Sequence, residues 1–199
     1  MLPNQIKNFI DVFAKFPSVG PRQATRLAFW LIGKGKSRIN EAARAIADLG
    51  TIGICSNCFF IHSNQEGLCD ICSNQSRSFK TIMVVEKETD LISMERTRKF
   101  TGRYLVIGEL AKSGTLDATH RLRLNRLKRI IEKQSDGMVD EIIIATNPTT
   151  YGDLNAMVIR RELEGYAKTF SRLGRGIPTG GEIEFADEDT LEQALERRV

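Results

Sequence analysis

The sequence predicts an α/β protein that is built from several small modules arranged along the chain. Three observations predict this class. The first quarter repeats apolar residues at helical spacing, all four cysteines fall within 18 residues, and short apolar runs then alternate with amphipathic stretches. Such alternation is typical of a Rossmann-like parallel sheet covered by helices. We therefore expect an N-terminal helical hairpin, a four-cysteine zinc finger, a parallel-sheet domain and a short C-terminal strand-helix segment.

Length and composition limit the class of protein. The chain has 199 residues, of which 41% are hydrophobic and 27% are charged, and these fractions are typical of a folded globular protein. No apolar run approaches the roughly 18 residues that a membrane helix needs. The N-terminus lacks the basic and apolar regions of a secretory signal. The sequence therefore predicts a cytoplasmic protein with no membrane partner.

The net charge of +4 is distributed unevenly along the chain. Residues 1–54 carry eight basic and three acidic residues, a net charge of +5, whereas residues 151–199 carry seven basic and ten acidic residues, a net charge of −3. A basic excess in one part of a chain is expected where that part meets a polyanion. A solvated basic face without a partner is the alternative interpretation.

The first predicted module, residues 1–54, is a helical hairpin with a basic second helix. Apolar residues recur at helical spacing over 6–16, are interrupted by the Pro- and Gly-containing turn 17–21, and resume over 24–32. Arg22 and Arg26 lie one helical turn apart just after this turn. A helix start binds phosphate through its free N–H groups. The layout indicates a helix-hairpin-helix module that grips the DNA backbone, and an ordinary αα-hairpin is the alternative.

Residues 33–37 read Gly-Lys-Gly-Lys-Ser, which invites comparison with a nucleotide-binding loop. The comparison fails because such a loop requires a glycine where Trp30 stands, and because the segment follows a predicted helix rather than a strand. We predict a solvated loop here. Its Lys34 and Lys36 are secondary candidates for DNA contact.

The four cysteines form two Cys-x2-Cys pairs, Cys55 with Cys58 and Cys69 with Cys72, separated by ten residues. This spacing predicts one zinc ion per chain, bound tetrahedrally by four thiolates in a finger over residues 55–76. Four protein ligands leave no open coordination position, so the predicted role of the metal is structural. An iron–sulfur cluster is an alternative, and disulfide bonds conflict with the predicted cytoplasmic location.

The third predicted module, residues 79–172, alternates strands with helices. The predicted strands cover 81–86, 104–107 and 141–146, and the predicted helices cover 88–98, 120–134 and 154–164. Parallel sheets carry functional residues at the carboxyl ends of their strands, which here are Glu86 and the run 145–152. Six basic residues on the helix over 120–134 are typical of a solvated face, and DNA contact is their alternative use.

This α/β segment resembles the Toprim fold of topoisomerases, primases and some nucleases. In catalytic Toprim members, a strand-end glutamate and an Asp-x-Asp pair hold magnesium for phosphoryl transfer. Glu86 occupies the first position, but Asn147 and Thr149 stand where the aspartates would be. Magnesium usually needs carboxylates to anchor it, so the resemblance implies a vestigial acidic site or partner site without catalysis. The alternative is a metal-dependent Toprim nuclease or primase-like enzyme that uses Glu86.

The order of the modules is similar to that of the RecR family of bacterial recombination mediators. The closest similarity lies in residues 171–191, which read SRLGRGIPTGGEIEFADEDTL within a predicted C-terminal assembly segment, 173–199. The resemblance implies a non-enzymatic protein that binds single- and double-stranded DNA without sequence preference. It also implies a dimer or a tetramer ring in the bacterial cytoplasm at the nucleoid. With RecO or RecF, such a protein helps to load RecA onto single strands coated by single-strand-binding protein.

The resemblance also assigns roles to particular residues and exposes departures from the family pattern. Arg22 and Arg26 match the basic pair of the family. Ser18, Leu105 and Tyr151 replace residues that are usual in the family, a glycine, a histidine and a glutamate respectively.

The C-terminal segment is predicted to contain a strand over 183–185 and a helix over 191–197. Its sequence resembles a Walker B element, an apolar strand that ends in an acid, but the chain has no phosphate-binding Walker A loop. We therefore interpret the segment as structural. Asp187 or Asp189 is expected to cap its helix.

Overall fold

The computed structural model describes residues 2–196 and 198. The chain divides into two compact units, Met1–Ile52 and Gly53–Val199, which are described separately. The first unit consists of helices α1 (Asn4–Phe13), α2 (Pro21–Lys34) and α3 (Lys36–Asp48), followed by a 3-10 turn over Leu49–Thr51. The predicted helical hairpin is therefore present.

Helices α1 and α2 lie against each other, and aromatic side chains cluster along α1 and the turn that follows it. Phe9 stacks on Phe13 with ring centroids 4.0 Å apart, and Phe16 meets Phe13 edge-on at 5.1 Å. Ala24 and Ala28 are buried on α2, where their small side chains allow a neighbouring helix to approach. The apolar periodicity of the sequence produces this contact because residues three and four apart share one helix face.

The turn between α1 and α2 contains a residue in a left-handed conformation. Ser18 has a φ angle of +61°, which favours glycine because a Cβ atom is crowded there. The hairpin forms despite this departure from the family pattern.

The loop predicted over 33–37 is wrong in extent, because Gly35, with a φ angle of +84°, is the one residue between the two helices α2 and α3.

The second unit begins with the cysteine-containing segment and continues into the sheet domain. Strands β1 (Gly53–Ile54) and β2 (Ile61–His62) form an antiparallel hairpin that precedes the short helix α4 (Asp70–Ser73). The elements that follow are β3 (Thr81–Val85), α5 (Glu88–Arg96), β4 (Arg103–Val106), α6 (Ala118–Gln134), β5 (Val139–Ala145), α7 (Thr150–Glu162), β6 (Ala167–Arg172) and α8 (Glu188–Glu196).

The four longer strands form one parallel sheet in the order β4-β3-β5-β6. After β4, the chain crosses over β3 to reach β5, so the loops after β3 and β5 leave in opposite directions. In open α/β sheets, such a switch point leaves a crevice at the carboxyl ends of the strands. Glu86 and Asn147 follow the two strands that flank this point.

The sheet is covered on both faces, as the sequence predicts. Alternate residues of β3 point to opposite sides. Ile82 and Val84 join a core cluster that includes buried residues of α6 and α7, whereas Met83 and Val85 join a second cluster with Leu91 of α5. The fold class is thus confirmed: N-terminal helices, a four-cysteine segment, a parallel sheet, and strand β6 and helix α8 at the C-terminal end.

Two details of the C-terminal part differ from the prediction. Ile183–Phe185 forms a 3-10 turn rather than the predicted strand, because these side chains are exposed and no neighbouring strand supplies hydrogen bonds. Strand β6, an edge strand, was not predicted from its mixed polar sequence. Helix α8 covers most of the predicted helix, whose last residue, Arg197, lies outside the described residues, and Thr190 N–H donates to the Asp187 cap at 2.8 Å.

Within the part of the chain that the structure describes, no helix is long and apolar enough to cross a membrane.

Candidate functional site

The four cysteines of the second unit come together at one point, as their spacing predicts. Their sulfur atoms all lie within 4.8 Å of one another, and the sulfurs of Cys58 and Cys69 are 3.5 Å apart. Cys55, Cys58 and Cys69 are buried, and Cys72 is half-buried. The four cysteines are therefore in position to bind a metal ion.

Backbone hydrogen bonds form the first of the two turns that carry these thiols. Cys55 N–H donates to the Phe60 carbonyl at 2.8 Å, and Phe59 N–H donates to the Cys55 carbonyl at 3.0 Å. Phe59 has a φ angle of +63°, a conformation that costs a non-glycine residue free energy and that holds the turn tight. The turn thereby directs Cys55 and Cys58 to the same side.

The second turn is formed by α4 and by the loop before it. Ser73 N–H donates to the Cys69 carbonyl at 2.9 Å. The side-chain amide of Asn64 donates to the Leu68 carbonyl at 3.0 Å and to the Asp70 carboxylate at 2.7 Å. These bonds fix the approach of the chain to the second cysteine pair.

The close packing of the four thiols perturbs their ionisation. The neighbouring thiols of Cys58, Cys69 and Cys72 lower the pKa of Cys55, and the Cys55 sulfur in turn raises the pKa of Cys58. Without a cation, one ionised sulfur at this point therefore disfavours ionisation of its neighbour. A bound metal ion removes this conflict because it stabilises all of its thiolate ligands together.

Two arginines of the sheet domain hold the cysteine turns in place. Arg103, on β4, donates to the carbonyls of Ile71 and Cys72 at 2.8 Å each, and also to the Asn74 carbonyl at 2.8 Å. Arg126, on α6, donates to the Ser56 carbonyl and to the Asn57 side chain at 3.0 Å each. Sequence reasoning missed both arginines because their partners are distant along the chain.

The backbone of β4 reinforces this attachment. Val106 N–H donates to the Cys58 carbonyl at 2.8 Å, so the cysteine segment contacts the edge strand of the sheet directly. Arg123 of α6 donates to the Val106 carbonyl at 3.0 Å, and its guanidinium lies 5.1 Å from the centre of the Phe59 ring. The metal-binding segment and the sheet therefore form one continuous body.

The structure brings two of the three residues predicted at the sheet edge together. The Asn147 side-chain amide donates to Glu86 Oε2 at 3.3 Å, and Leu110 N–H donates to Glu86 Oε1 at 3.0 Å. Both oxygens of this carboxylate thus accept hydrogen bonds from neutral groups. A magnesium site of the catalytic kind would instead place further carboxylates around the ion.

Thr149, the third of these residues, caps a helix. It is the N-cap of α7, where its hydroxyl oxygen accepts a hydrogen bond from Gly152 N–H at 3.1 Å. Gly152 packs so closely on the Asn147 carbonyl that a Cβ atom would overlap it. The residues of the Asn-Pro-Thr turn therefore have a structural role, because they allow α7 to begin shortly after β5 ends.

Asp153 is an acidic residue near this edge that is already occupied by arginines. Arg172 and Arg175 both form ion pairs with its carboxylate, and the Arg172 pair holds the pKa of Asp153 below its usual range. Arg172 also donates to Thr146 Oγ1 at 3.0 Å. Among the described residues, the four cysteines form the one group of three or more potential protein ligands close enough to share a metal ion.

The basic candidates of the first unit are all exposed. Arg22 lies in the first turn of α2, which contains no acidic residue, and Arg26 lies one turn further along. The Lys34 ammonium lies 5.9 Å from the centre of the Trp30 ring, and Lys36 is the first residue of α3. None of these four side chains has an ion-pair partner among residues 2–196 and 198.

The remaining departures from the family pattern have clear surroundings. Leu105 is fully buried in β4, where it contributes to the core. Tyr151 is half-exposed on the first turn of α7, and the Lys112 ammonium lies 5.7 Å from the centre of its ring. Tyr151, the residue expected to replace a glutamate, therefore has a basic side chain beside it.

The fold and the site define an α/β protein with a parallel sheet and an attached cluster of four cysteines in position to bind a metal ion. Residues 80–174 match the family model for the Toprim domain, and residues 176–199 match the model described as RecR, C-terminal. The chain belongs to the RecR family.

Full-length similarity supports this membership. The recombination protein RecR of Gloeobacter violaceus is 35% identical over 199 residues, which cover 100% of this chain and 98% of the relative. The recombination proteins RecR of Prochlorococcus marinus subsp. pastoris and of Prochlorococcus marinus strain MIT 9301 are each 37% identical over 195 residues, which cover 98% of this chain and 95% of each relative.

Proposed function

We propose that this protein is a DNA-binding mediator of recombinational DNA repair. In this role it is an oligomeric clamp and adaptor that acts with RecO or RecF, or both, to help load RecA onto single strands coated by single-strand-binding protein. Membership of the RecR family supports the recombination role. The observation that carries the DNA-binding part is the exposed, unpaired Arg22 and Arg26 at the start of α2.

The start of α2 has the properties of a phosphate-binding site. A cation in the first turn of a helix is unfavourable beside the positive end of the helix dipole unless an anion lies close by. Pro21 has no N–H, and Gly20 N–H donates to Gln23 Oε1 at 3.2 Å, so the N–H groups of Arg22 and Gln23 are the ones left for a phosphate. No atom lies within 4 Å of the place where a Gly20 Cβ would stand, so the start of the helix is open to approach on that side. A DNA phosphate satisfies the N–H groups and both arginines together.

Binding through phosphates predicts affinity for both single- and double-stranded DNA without sequence preference. Lys34 and Lys36 are exposed at the far end of α2 and at the start of α3, and we propose that they add further backbone contacts. Because these contacts are to phosphates, the affinity for DNA should fall steeply as the salt concentration rises. We propose that the protein binds DNA in this way at the bacterial nucleoid.

We propose a non-enzymatic role for the sheet edge. Glu86 is paired with the Asn147 amide and with a backbone N–H rather than with other carboxylates, which supports a partner or vestigial site over a magnesium site. The alternative, a metal-dependent nuclease or primase-like enzyme, requires Glu86 to act without carboxylate support.

We propose zinc as the metal of the four cysteines, one ion per chain, with a structural role. Four sulfurs at about 2.3 Å from a tetrahedral zinc ion lie about 3.8 Å from one another. The Cys58–Cys69 sulfur separation of 3.5 Å and the upper limit of 4.8 Å for all pairs fit that arrangement. The bound ion would hold the two cysteine turns together, and no coordination position would remain for a reacting water.

Self-association is proposed from the apolar surface of the first unit and from the C-terminal segment. Both present large hydrophobic side chains to solvent, which is typical of surfaces that become covered in an assembly. The side chains exposed in the two regions include Phe29, Trp30, Ile46, Leu49, Ile183, Phe185 and Leu195. Dimers or a tetramer ring would cover them.

The proposed assembly assigns a role to each part of the chain. Residues 1–54 form the DNA-binding hairpin, 55–76 the zinc finger, 79–172 the Toprim domain and 173–199 the assembly segment. The native mass with and without DNA tests the assembly, and a monomer under both conditions would contradict the clamp.

Charge removal at the hairpin tests the DNA-binding proposal. The double variant Arg22→Gln, Arg26→Gln should bind unrelated duplexes more weakly, and its slope of log affinity against log salt should fall by about 1.8, since each lost duplex contact removes about 0.9. Arg96→Gln, Arg161→Gln removes the same charge from exposed positions on α5 and α7 and serves as the matched control. Equal binding by both double variants would exclude the hairpin as the contact.

A nicking assay separates the adaptor from the enzyme. We expect supercoiled plasmid to remain intact with magnesium or manganese. Metal-dependent cleavage that Glu86→Gln abolishes would overturn the non-enzymatic proposal in favour of a Toprim nuclease.

A further inference from the structure

A groove with a basic wall lies between the first cysteine turn and helix α6. Its volume is about 650 Å³, and it is lined by Ser56, Phe59, Ala118, Arg121, Leu122, Asn125, Arg126 and Arg129. No acidic residue lines it. The lining residues of α6 recur at steps of three and four, so they form one face of the helix.

Most basic residues of α6, including the three arginines of this groove, have no ion-pair partner in the described part of the chain. Lys128 pairs with Glu162 at 3.4 Å, and Glu132, the one acidic residue of the helix, accepts a hydrogen bond from the Tyr166 hydroxyl. Arg121, Arg126 and Arg129 have no acidic partner in the described part of the chain. Arg121 donates to the Leu116 carbonyl at 3.3 Å and Arg126 to the Ser56 carbonyl at 3.0 Å, and these bonds leave the positive charge of both groups without a counter-charge. The groove therefore carries three guanidinium groups with no carboxylate in its lining.

Concentrated positive charge without counter-charge favours an anionic ligand. Arg126 and Arg129 are neighbours one helical turn apart, and like charges at this spacing repel each other. Arg121 and Arg129 are eight residues apart, or about 12 Å along the helix axis, which is long enough to contact more than one phosphate of a strand. A polyanion therefore fits the groove better than a single small anion.

The shape and the apolar residues of the groove favour a single strand over a duplex. Leu122 lies among the arginines with 61% of its surface exposed, and the half-buried Phe59 lines the groove opposite α6. A single strand offers bases and sugars that cover apolar side chains while its phosphates meet the arginines. The outer surface of a duplex presents mainly phosphates and would leave Leu122 uncovered.

We propose that this groove is a second DNA site, which binds the backbone of single-stranded DNA independently of the hairpin. The proposal rests on the proposed DNA-binding function and adds a surface to it. Arg126 lines the groove and also donates a hydrogen bond to the Ser56 carbonyl of the metal-binding segment. Loss of the metal would therefore disturb the groove.

Charge removal in the full-length protein tests this site. The double variant Arg121→Gln, Arg129→Gln leaves Arg126 and its contacts in place. With a short oligothymidylate as the probe, its slope of log affinity against log salt should fall by about 1.4, since each single-strand contact contributes about 0.7. Arg96→Gln, Arg161→Gln is the matched control and should keep the wild-type slope, and bound metal per chain should be unchanged in both.

A cross-link gives a second readout that is independent of charge. Leu122→p-benzoylphenylalanine should cross-link the same oligothymidylate on irradiation, and unlabelled single strands should compete better than duplex. No cross-link, equal competition by duplex, or an unchanged salt slope in Arg121→Gln, Arg129→Gln would overturn the single-strand groove.

The hairpin variant separates this proposal from the general function. If Arg22→Gln, Arg26→Gln loses affinity and the groove variant does not, the groove proposal fails and the DNA-binding function stands. If the wild-type protein binds no DNA, both fail.

Discussion

The two compact units of this chain bury their hydrophobic residues very differently. In the described part of Met1–Ile52, Ala24 and Ala28 are the buried residues, whereas ten large hydrophobic side chains are exposed. In Gly53–Val199, buried aliphatic side chains fill both faces of a parallel sheet, and the four cysteines add a third cluster.

This difference shows that the two units depend on different sources of stability. Hydrophobic burial contributes about 25 cal/mol per Å² of apolar surface, so the sheet unit gains much from its own core. The helical unit gains little, and a domain of its size is marginally stable even with a good core. Its exposed hydrophobic residues therefore contribute to stability only when another surface covers them.

Loss of one metal ligand should cause the largest loss of stability in the sheet unit. The cysteine segment contains few large apolar residues, so it depends on the metal to stay folded. Cys58→Ser, or chelation of the wild type, should remove most of an apparent binding free energy of about 10–16 kcal/mol and unfold the segment. Metal content per chain and thermal unfolding measure the effect. A metal-free chain that keeps its full unfolding transition would contradict the structural role of the site.

A pair of matched truncations compares the units directly. Leu105→Ala, at a fully buried position of β4, should lower the free energy of unfolding by about 3 kcal/mol. Ile46→Ala, at a position that is 50% exposed on α3, should cost the isolated chain less than about 1 kcal/mol but should weaken self-association. Denaturant unfolding and native mass provide the two readouts. Similar losses of stability would show that Ile46 is covered within the chain.

The arginine contact between the sheet and the metal segment should have an intermediate effect. Arg103→Gln removes charge-assisted bonds to three backbone carbonyls and should cost about 2 kcal/mol of stability and weaken metal retention. Arg103→Lys keeps the charge but cannot reproduce the geometry, so an intermediate loss is expected. Competition with a chelator measures retention. Wild-type retention in both variants would show that the cysteine turns do not need this contact.

The smallest expected effect concerns the turn of the hairpin. Ser18→Gly should stabilise the helical unit by about 1 kcal/mol or less, because relief of the φ angle of +61° is partly offset by the greater freedom of glycine when unfolded. Thermal unfolding of the full chain tests this. A destabilised variant would mean that the serine side chain contributes more to the turn than its conformation costs.

The sequence by itself determined the features that depend on neighbours along the chain. Helical periodicity predicts α1 and α2, because apolar residues three and four apart share a face. The two Cys-x2-Cys pairs predict a shared ligand cluster because each pair forms its own short turn. Apolar β-branched runs predict β3 and β5, and therefore predict that Glu86 and Asn147 follow strand ends.

Short and exposed segments were predicted less well, because few local interactions distinguish their possible conformations. The strand expected over Ile183–Phe185 is a 3-10 turn, since a strand needs a partner that the amino-acid pattern does not reveal. The left-handed conformation of Ser18 also escaped prediction, because the residue there is not glycine.

Only the tertiary structure decided the contacts between distant parts of the chain. Arg126 reaches the Ser56 carbonyl across 70 positions, and the Asn147 amide reaches Glu86 across 61. Such pairs depend on which strands are adjacent and on where a crossover returns the chain. The sequence could therefore identify the charged and metal-binding residues, but the fold determined which arginines lie beside a carboxylate and which have no counter-charge.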